Sequence, residues 1–169
     1  IYNFRFTTNV SPTGGNATLT MFRPGTPTDV AVATVIPNPA GGGPFLPGND
    51  SCANATSVSN GTTLFSSLNA TTDGPDEPGP CTVSSYSHIG SDIWYRWTNG
   101  TTAGTATVAL CGSAFDTKVA VYAACPTASG QSLACNDDSS TCGVNSLQSQ
   151  VTFTAAANTA YLICIGGYN

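Results

Sequence analysis

No stretch of a dozen residues in this chain keeps apolar side chains at i, i+3 and i+4, the spacing that lays a stripe along a helix. The good helix formers Glu, Lys and Met are nearly missing. What recurs is alternation with a period of two, in residues 2–8, 17–22, 29–36, 92–98, 105–111, 117–123, 150–154 and 159–165. In the run DIWYRWT at 92–98 it sets Ile93, Tyr95 and Trp97 on one face of a strand, with Trp94 and Arg96 on the other. Short strands separated by Gly, Pro, Asn and Ser turns predict an all-β, antiparallel fold of the β-sandwich or jelly-roll kind.

One composition break divides the chain. Residues 37–48, PNPAGGGPFLPG, combine prolines and glycines that neither complete a ladder nor hold a helix, so they read as a linker. It separates an N-terminal β arm, residues 1–36, from a main domain at 49–169. A second Pro-rich stretch, DGPDEPGP at 73–80, carries Asp73, Asp76 and Glu77 and reads as an exposed loop ending at Cys81.

Charge and cysteine narrow the setting. Only 8% of residues are charged, where intracellular domains carry about 25%, and Ser, Thr, Asn and Gly take the surface positions instead. The net charge is -5, so no basic patch exists to neutralise nucleic-acid phosphates or an anionic membrane surface. No apolar run approaches the ~18 residues that span a bilayer. The 7 cysteines, with a single His and no tetrahedral metal spacing, predict disulfides made in an oxidising compartment. A local bond between Cys135 and Cys142 and a second between Cys52 and Cys81 fit the spacing; Cys111, Cys125 and Cys164 are left open, with one thiol over. Sequons at Asn9, Asn16, Asn49, Asn54, Asn60, Asn69 and Asn99 offer glycan acceptors, although a chain this rich in Asn, Ser and Thr also makes sequons by chance. The first residues open on a strand-like pattern, so any signal peptide is expected to have been removed or to lie upstream. An extracellular or cell-surface location follows as the expectation.

Few residues carry chemistry. Asn136, Asp137 and Asp138 place hard oxygen ligands in one short loop, and Asp116 or Asp92 would add to them, a set that suits calcium without matching an EF-hand. The competing reading is that they satisfy backbone groups in a turn. A Ser-His-Asp triad would have to use His88 with a carboxylate such as Asp92, and no Gly-X-Ser-X-Gly elbow presents a serine. Paired carboxylates for glycoside hydrolysis would come from the Pro-Gly loop, which offers no apolar cleft. No catalytic residues are assigned. Trp94, Tyr95 and Trp97 would make a sugar platform only in part, since alternation splits them between faces, and core packing is the simpler role.

From residue 49 onward the order of segments resembles the bacterial pre-peptidase C-terminal domain family. The resemblance is carried by NDSCANA at 49–55, SDIWYRWT at 91–98, TVALCGSAFDTKVAVYAAC at 107–125, LACNDDSSTCG at 133–143 and TAYLICIGGYN at 159–169. It implies a small, non-catalytic β-sandwich found beside secreted proteases and in surface proteins, some members of which bind calcium or matrix polymers. Such domains add a last edge strand of the form Gly-Asn-Phe-Thr-Leu-Thr-Val, and this chain stops at Asn169. A similar segment, GNATLTM, stands in the arm as Gly15, Asn16, Ala17, Thr18, Leu19, Thr20 and Met21. The expectation is therefore a structural subunit of a surface or filamentous assembly. Copies would join head to tail by strand donation, with the acceptor edge beside residues 159–165. Closure of the arm onto its own domain, or an arm that is the tail of a preceding repeat, stays open. The alternative function is a carbohydrate- or matrix-binding accessory module of a secreted multi-domain enzyme.

Overall fold

The computed structural model describes residues 12–20 and 29–37 through their backbone, and 46–79, 81, 82, 84–144 and 146–168 in full. The chain divides into two compact units, Ile1–Phe45 and Leu46–Asn169. In the first, β1 (Pro12–Thr20) pairs antiparallel with β2 (Asp29–Pro37), from Pro12 opposite Pro37 to Thr20 opposite Asp29. Strand β1 starts earlier than alternation suggests, because Pro12, Gly14 and Gly15 read as turn residues; a proline at a strand's first position costs the ladder no internal donor. Residues 2–8, Asn9, Met21 and most of the expected linker lie outside the described residues.

The second unit is all-β and mostly antiparallel, with two sheets. Strands β3 (Thr56–Val58), β4 (Gly90–Thr98), β6 (Thr117–Tyr122), β7 (Ala134–Asn136) and β9 (Ala160–Gly167) form one sheet in the order β3-β4-β9-β6-β7, with β3 parallel to β4. Strands β5 (Gly104–Ala109) and β8 (Gln150–Ala155) form the other. β6 is buried at every position because both of its faces are covered, whereas β8 buries every second residue and leaves Thr152 and Thr154 in solvent. β3 and β7 are too short to show alternation, and the sequence gives no sign of them. A bulge between Gly90 and Ile93 puts Ser91 at φ 49°, and the facing Gly166 is obligatory, since a Cβ there would collide with the Gly90 carbonyl oxygen.

β9 is the middle strand of the larger sheet, paired with β4 on one side and β6 on the other. No free edge lies beside residues 159–165, which corrects the expected acceptor position: the strands from 90 and 117 return to flank β9. The inner face of this sheet, with Ile93, Val119, Val121, Tyr161, Ile163 and Ile165, packs on Val151, Phe153 and Ala155 of β8. The outer face carries Ile89, Trp94, Ala120, Tyr122, Leu162 and Cys164, and residues from the segments on either side of β3 lie over it.

The unit carries three disulfides, two of which hold that cover in place. They join Cys52 to Cys125, Cys81 to Cys135 and Cys111 to Cys142, leaving Cys164 buried and free. The expected pairs Cys135–Cys142 and Cys52–Cys81 are therefore wrong, although all four residues are bonded. Cys135 sits opposite Ala120 on the outer face, where it meets Cys81; Cys142, on a single 3-10 turn, reaches the end of β5 instead. The bonds span 73, 54 and 31 residues. Chain entropy makes each worth about 4 kcal/mol at most, against roughly 2 for a bond closing the short 135–142 loop.

Candidate functional site

Three regions of the second unit concentrate chemistry, and the first is acidic. Asp116, at the end of the β5–β6 connection, and Asp137 and Asp138, just after β7, each bring one carboxylate oxygen within 4.8 Å of the others. This cluster of three carboxylates offers the hard oxygen donors that hold a divalent cation. Burial pushes the carboxyl groups of Asp116 and Asp137 above the usual carboxylate range, with Lys118 opposing the shift. The two other expected ligands have bonds of their own. Asn136 spends its amide oxygen on the Gln150 N–H at 3.1 Å and donates its Nδ2 to the Asp138 carbonyl. Asp92 lies elsewhere, accepting from Trp94 Nε1 at 2.9 Å and the Gly74 N–H at 3.0 Å.

Beside the cluster, Lys118 is fully buried on the outer side of β6. Its Nζ donates to the carbonyls of Cys81 at 3.0 Å and Tyr86 at 2.8 Å, lies 3.4 Å from Asp137 Oδ2, and stands 5.0 Å from the centre of the Tyr168 ring. The sequence alone does not single out this lysine. The available signal was its place in TKVAVY, on the same side as Ala120 and Tyr122.

The second region is a buried polar layer under residues 70–90. Glu77, expected in an exposed loop, is 1% exposed and accepts from Tyr122 Oη at 2.8 Å and Ser132 Oγ at 2.6 Å. A buried tyrosine needs an acceptor for its hydroxyl, and the Pro-Gly loop delivers one. Burial pushes the Asp92 carboxyl up to about 6. His88 is half-exposed, with Nδ1 3.8 Å from Asp76 Oδ1, so Asp92 and His88 do not assemble the relay a triad needs.

The third region is a groove of about 1040 Å³ between β5 and residues 58–68. The larger sheet is five strands wide and the smaller two, so part of its inner face lacks a partner strand. Tyr95, Trp97, Phe153, Ile163 and Ile165 line it, Trp97 stacked against Tyr161 at 6.1 Å and donating its Nε1 to Asn60 Oδ1 at 2.7 Å. Among the described residues, β5 pairs with β8 alone and no backbone hydrogen bond joins residues 59–66 to either sheet. Leu64 and Leu68 on the rim are 94% and 75% exposed. Trp94, on the opposite face, is fully buried against Tyr122, so the aromatic set is split as alternation requires.

The sequons divide too. Asn49 donates its Nδ2 to the Trp94 carbonyl, and Asn99 donates to Thr102, Ala155 and Ala156, so a glycan on either would replace those bonds. Asn54 and Asn60 are exposed, Asn69 is half-buried, and Asn16 lies in β1. Comparison with protein-family models, curated proteins and solved structures finds no match for this chain.

Proposed function

We propose that this chain is a non-catalytic, extracellular structural module of a surface or filamentous assembly, and that copies join by adding the β1 segment of one to the open edge of β5 in the next. The observation that carries this reading is the groove. An unpaired strand edge above an apolar floor is a template for one more strand. A strand of six residues matches β5 and spans about 20 Å at 3.3 Å per residue.

Residues 15–21 suit the role by their alternation of Ala17, Leu19 and Met21 with Asn16, Thr18 and Thr20, and by their likeness to the terminal strand of pre-peptidase C-terminal domains. Because β1 is already paired with β2, the donor enters as a two-stranded ribbon, widening the smaller sheet of its neighbour into a fuller β-sandwich. A head-to-tail contact of this kind repeats without closing unless its rotation makes a ring.

The test uses two variants of the whole chain. Ala106→Trp fills the groove and leaves the arm intact; Leu19→Asp spoils the donor and leaves the groove intact. The parent should form multimers in light scattering and negative-stain images, each variant should stay monomeric, and the mixture should give dimers with a single junction. A parent that stays monomeric when concentrated, or variants that still assemble, would defeat the reading. The aromatic floor favours a second one, a sugar-binding module; retention of the parent but not of Ala106→Trp on a polysaccharide column, without self-assembly, would select it.

A further inference from the structure

We propose that the side chains of Lys118 and Asp137 condense with each other into an amide, a covalent bond between β6 and the segment after β7, with Asp116 as the proton carrier. The register of the two strands sets Val119 opposite Asn136 and Ala120 opposite Cys135; carried one step on, it puts Lys118 opposite Asp137. Alternation then turns both side chains to the outer face, with Ala120 and Cys135. There the Lys118 side chain is fully buried and that of Asp137 is 3% exposed. Tyr168 stands over Nζ at 5.0 Å and packs on Tyr86 at 5.3 Å between ring centres, so the pair is shut off from water.

A plain ion pair accounts poorly for this contact. A buried ammonium and carboxylate hold together through short, aligned hydrogen bonds of about 2.7 to 2.9 Å. Nζ lies 3.4 Å from Asp137 Oδ2, well beyond that range, and Oδ1 has no donor at all. Two N–H groups of Nζ turn to the carbonyls of Cys81 and Tyr86, which leaves the third position facing the carboxyl group. In an uncharged amine that position holds the lone pair. With Oδ2 at 3.4 Å, Cγ is no more than one C–O bond, about 1.2 Å, further off, so a small movement brings Nζ to a near-attack contact.

The step balances within the chain. One proton passes from Nζ to Asp137, giving an amine and a carboxylic acid, and burial favours that protonated carboxyl. Nζ attacks Cγ and gives a second proton to the carboxylate of Asp116. Asp116 returns it to the departing hydroxyl, which leaves as water while the new C–N bond stays. A carboxylate oxygen of Asp116 lies within 4.8 Å of one of Asp137, a gap that a single water bridges, and Asp116 Oδ1 is buried with no donor of its own. In water such a condensation fails because both partners are ionised and water is in excess. Enclosure removes both obstacles, and fixed orientation is worth an effective concentration of about 10⁵ to 10⁸ M. The product has no charge to bury and one orphaned oxygen fewer. Its single N–H keeps the buried carbonyl of Cys81, while the carbonyl of Tyr86, an exposed residue, turns to solvent. The bond would fasten β7, the short edge strand that the Cys81–Cys135 bond also holds. This inference does not depend on strand donation.

Mass spectrometry of the whole chain, reduced and deglycosylated, tests it. Most molecules should be lighter than the sequence by one water. Trypsin should leave the unfolded chain uncut after Lys118, because an acylated lysine is not a substrate, and the digest should hold a branched peptide that joins Lys118 to Asp137. An Asp116→Asn chain that has made the same three disulfides should retain the water and be cut after Lys118, and Asp116→Glu should restore the bond. A parent of full sequence mass that trypsin cuts after Lys118 would overturn the proposal. An Asp116→Asn chain that loses water as the parent does would overturn the role given to Asp116.

Discussion

The two faces of the five-stranded sheet are covered in different ways. The inner face is covered by strands β5 and β8, which pair with each other along their facing edges, and its buried core is almost entirely apolar. The outer face is covered by irregular chain, and there the buried residues include Lys118, Glu77 and Asp92. The difference follows from backbone accounting. A strand arrives with its hydrogen bonds made, whereas a loop brings free carbonyls and N–H groups that need partners. Lys118 serves the carbonyls of Cys81 and Tyr86, and Asp92 serves the N–H of Gly74. The strand-covered face has the opposite weakness: its cover is too narrow, and the groove is what remains.

If the outer cover depends on covalent ties, cutting them should have the largest effect. Replacing Cys81 and Cys135 together by Ser should cost about 2 to 5 kcal/mol in urea unfolding and release the cover from Trp94 and Tyr122, erasing much of the near-ultraviolet circular dichroism. An unfolding midpoint equal to that of the parent would show that the buried polar contacts hold the loop alone. In the native parent no thiol should react; one, Cys164, should appear on unfolding.

How legible these two faces are in the sequence differs in the same way. The strands reveal themselves: the alternation of Ile93, Tyr95 and Trp97 against Trp94 predicts their sides correctly, and the runs at 117–123 and 150–154 fall on β6 and β8. The irregular cover is not legible, because its contacts are long-range. Glu77 meets Tyr122 and Ser132 across 45 and 55 residues, and Cys52 meets Cys125 across 73. Spacing alone favours near partners, hence the expected short loop between Cys135 and Cys142. Of the acidic cluster, the sequence shows the adjacent pair Asp137 and Asp138 and the outlying Asp116, but not that Asn136 turns away to Gln150. Nor does it show that β5 keeps an edge unpaired among the described residues, which depends on sheet order.

Acid should sharpen the contrast by a smaller amount. Asp92 titrates at about 6 in the folded protein, against an ordinary value of 3.8, because burial penalises its charged form. Between those values the native state holds the proton that the unfolded state releases. This stabilisation is present in full below pH 3.8 and is lost as pH rises through 6. A difference of about two units corresponds to about 3 kcal/mol. Metal-free protein should therefore gain stability between pH 7 and pH ~4.5, and Asp92→Asn should flatten most of that gain, leaving a residue from Asp116, which is shifted the same way. Urea midpoints at the two values decide it; a parent that weakens on acidification, with a variant that follows the same curve, would mean Asp92 ionises freely under its cover.

The smallest effect on the folded monomer belongs to the groove, which makes it the most discriminating. Leu64 stands on the rim at 94% exposure, so Leu64→Ser removes almost no buried area and should change monomer stability by less than about 0.5 kcal/mol. Phe153, 7% exposed on β8 where it packs against that inner face, is the control: Phe153→Ala should cost about 3 to 5 kcal/mol. In a chain that accepts a donor strand, the leucine that is idle in the monomer becomes covered at the junction, and each fully buried side chain of that kind contributes about 1.5 to 3 kcal/mol. Leu64→Ser should then leave the dilute melting curve in place while weakening multimers by tenfold or more, as measured by sedimentation across a concentration series. A substitution that shifts the dilute curve instead would show that residues 58–68 already close the groove in the single chain, and the narrow cover of the inner face would then be complete as it stands.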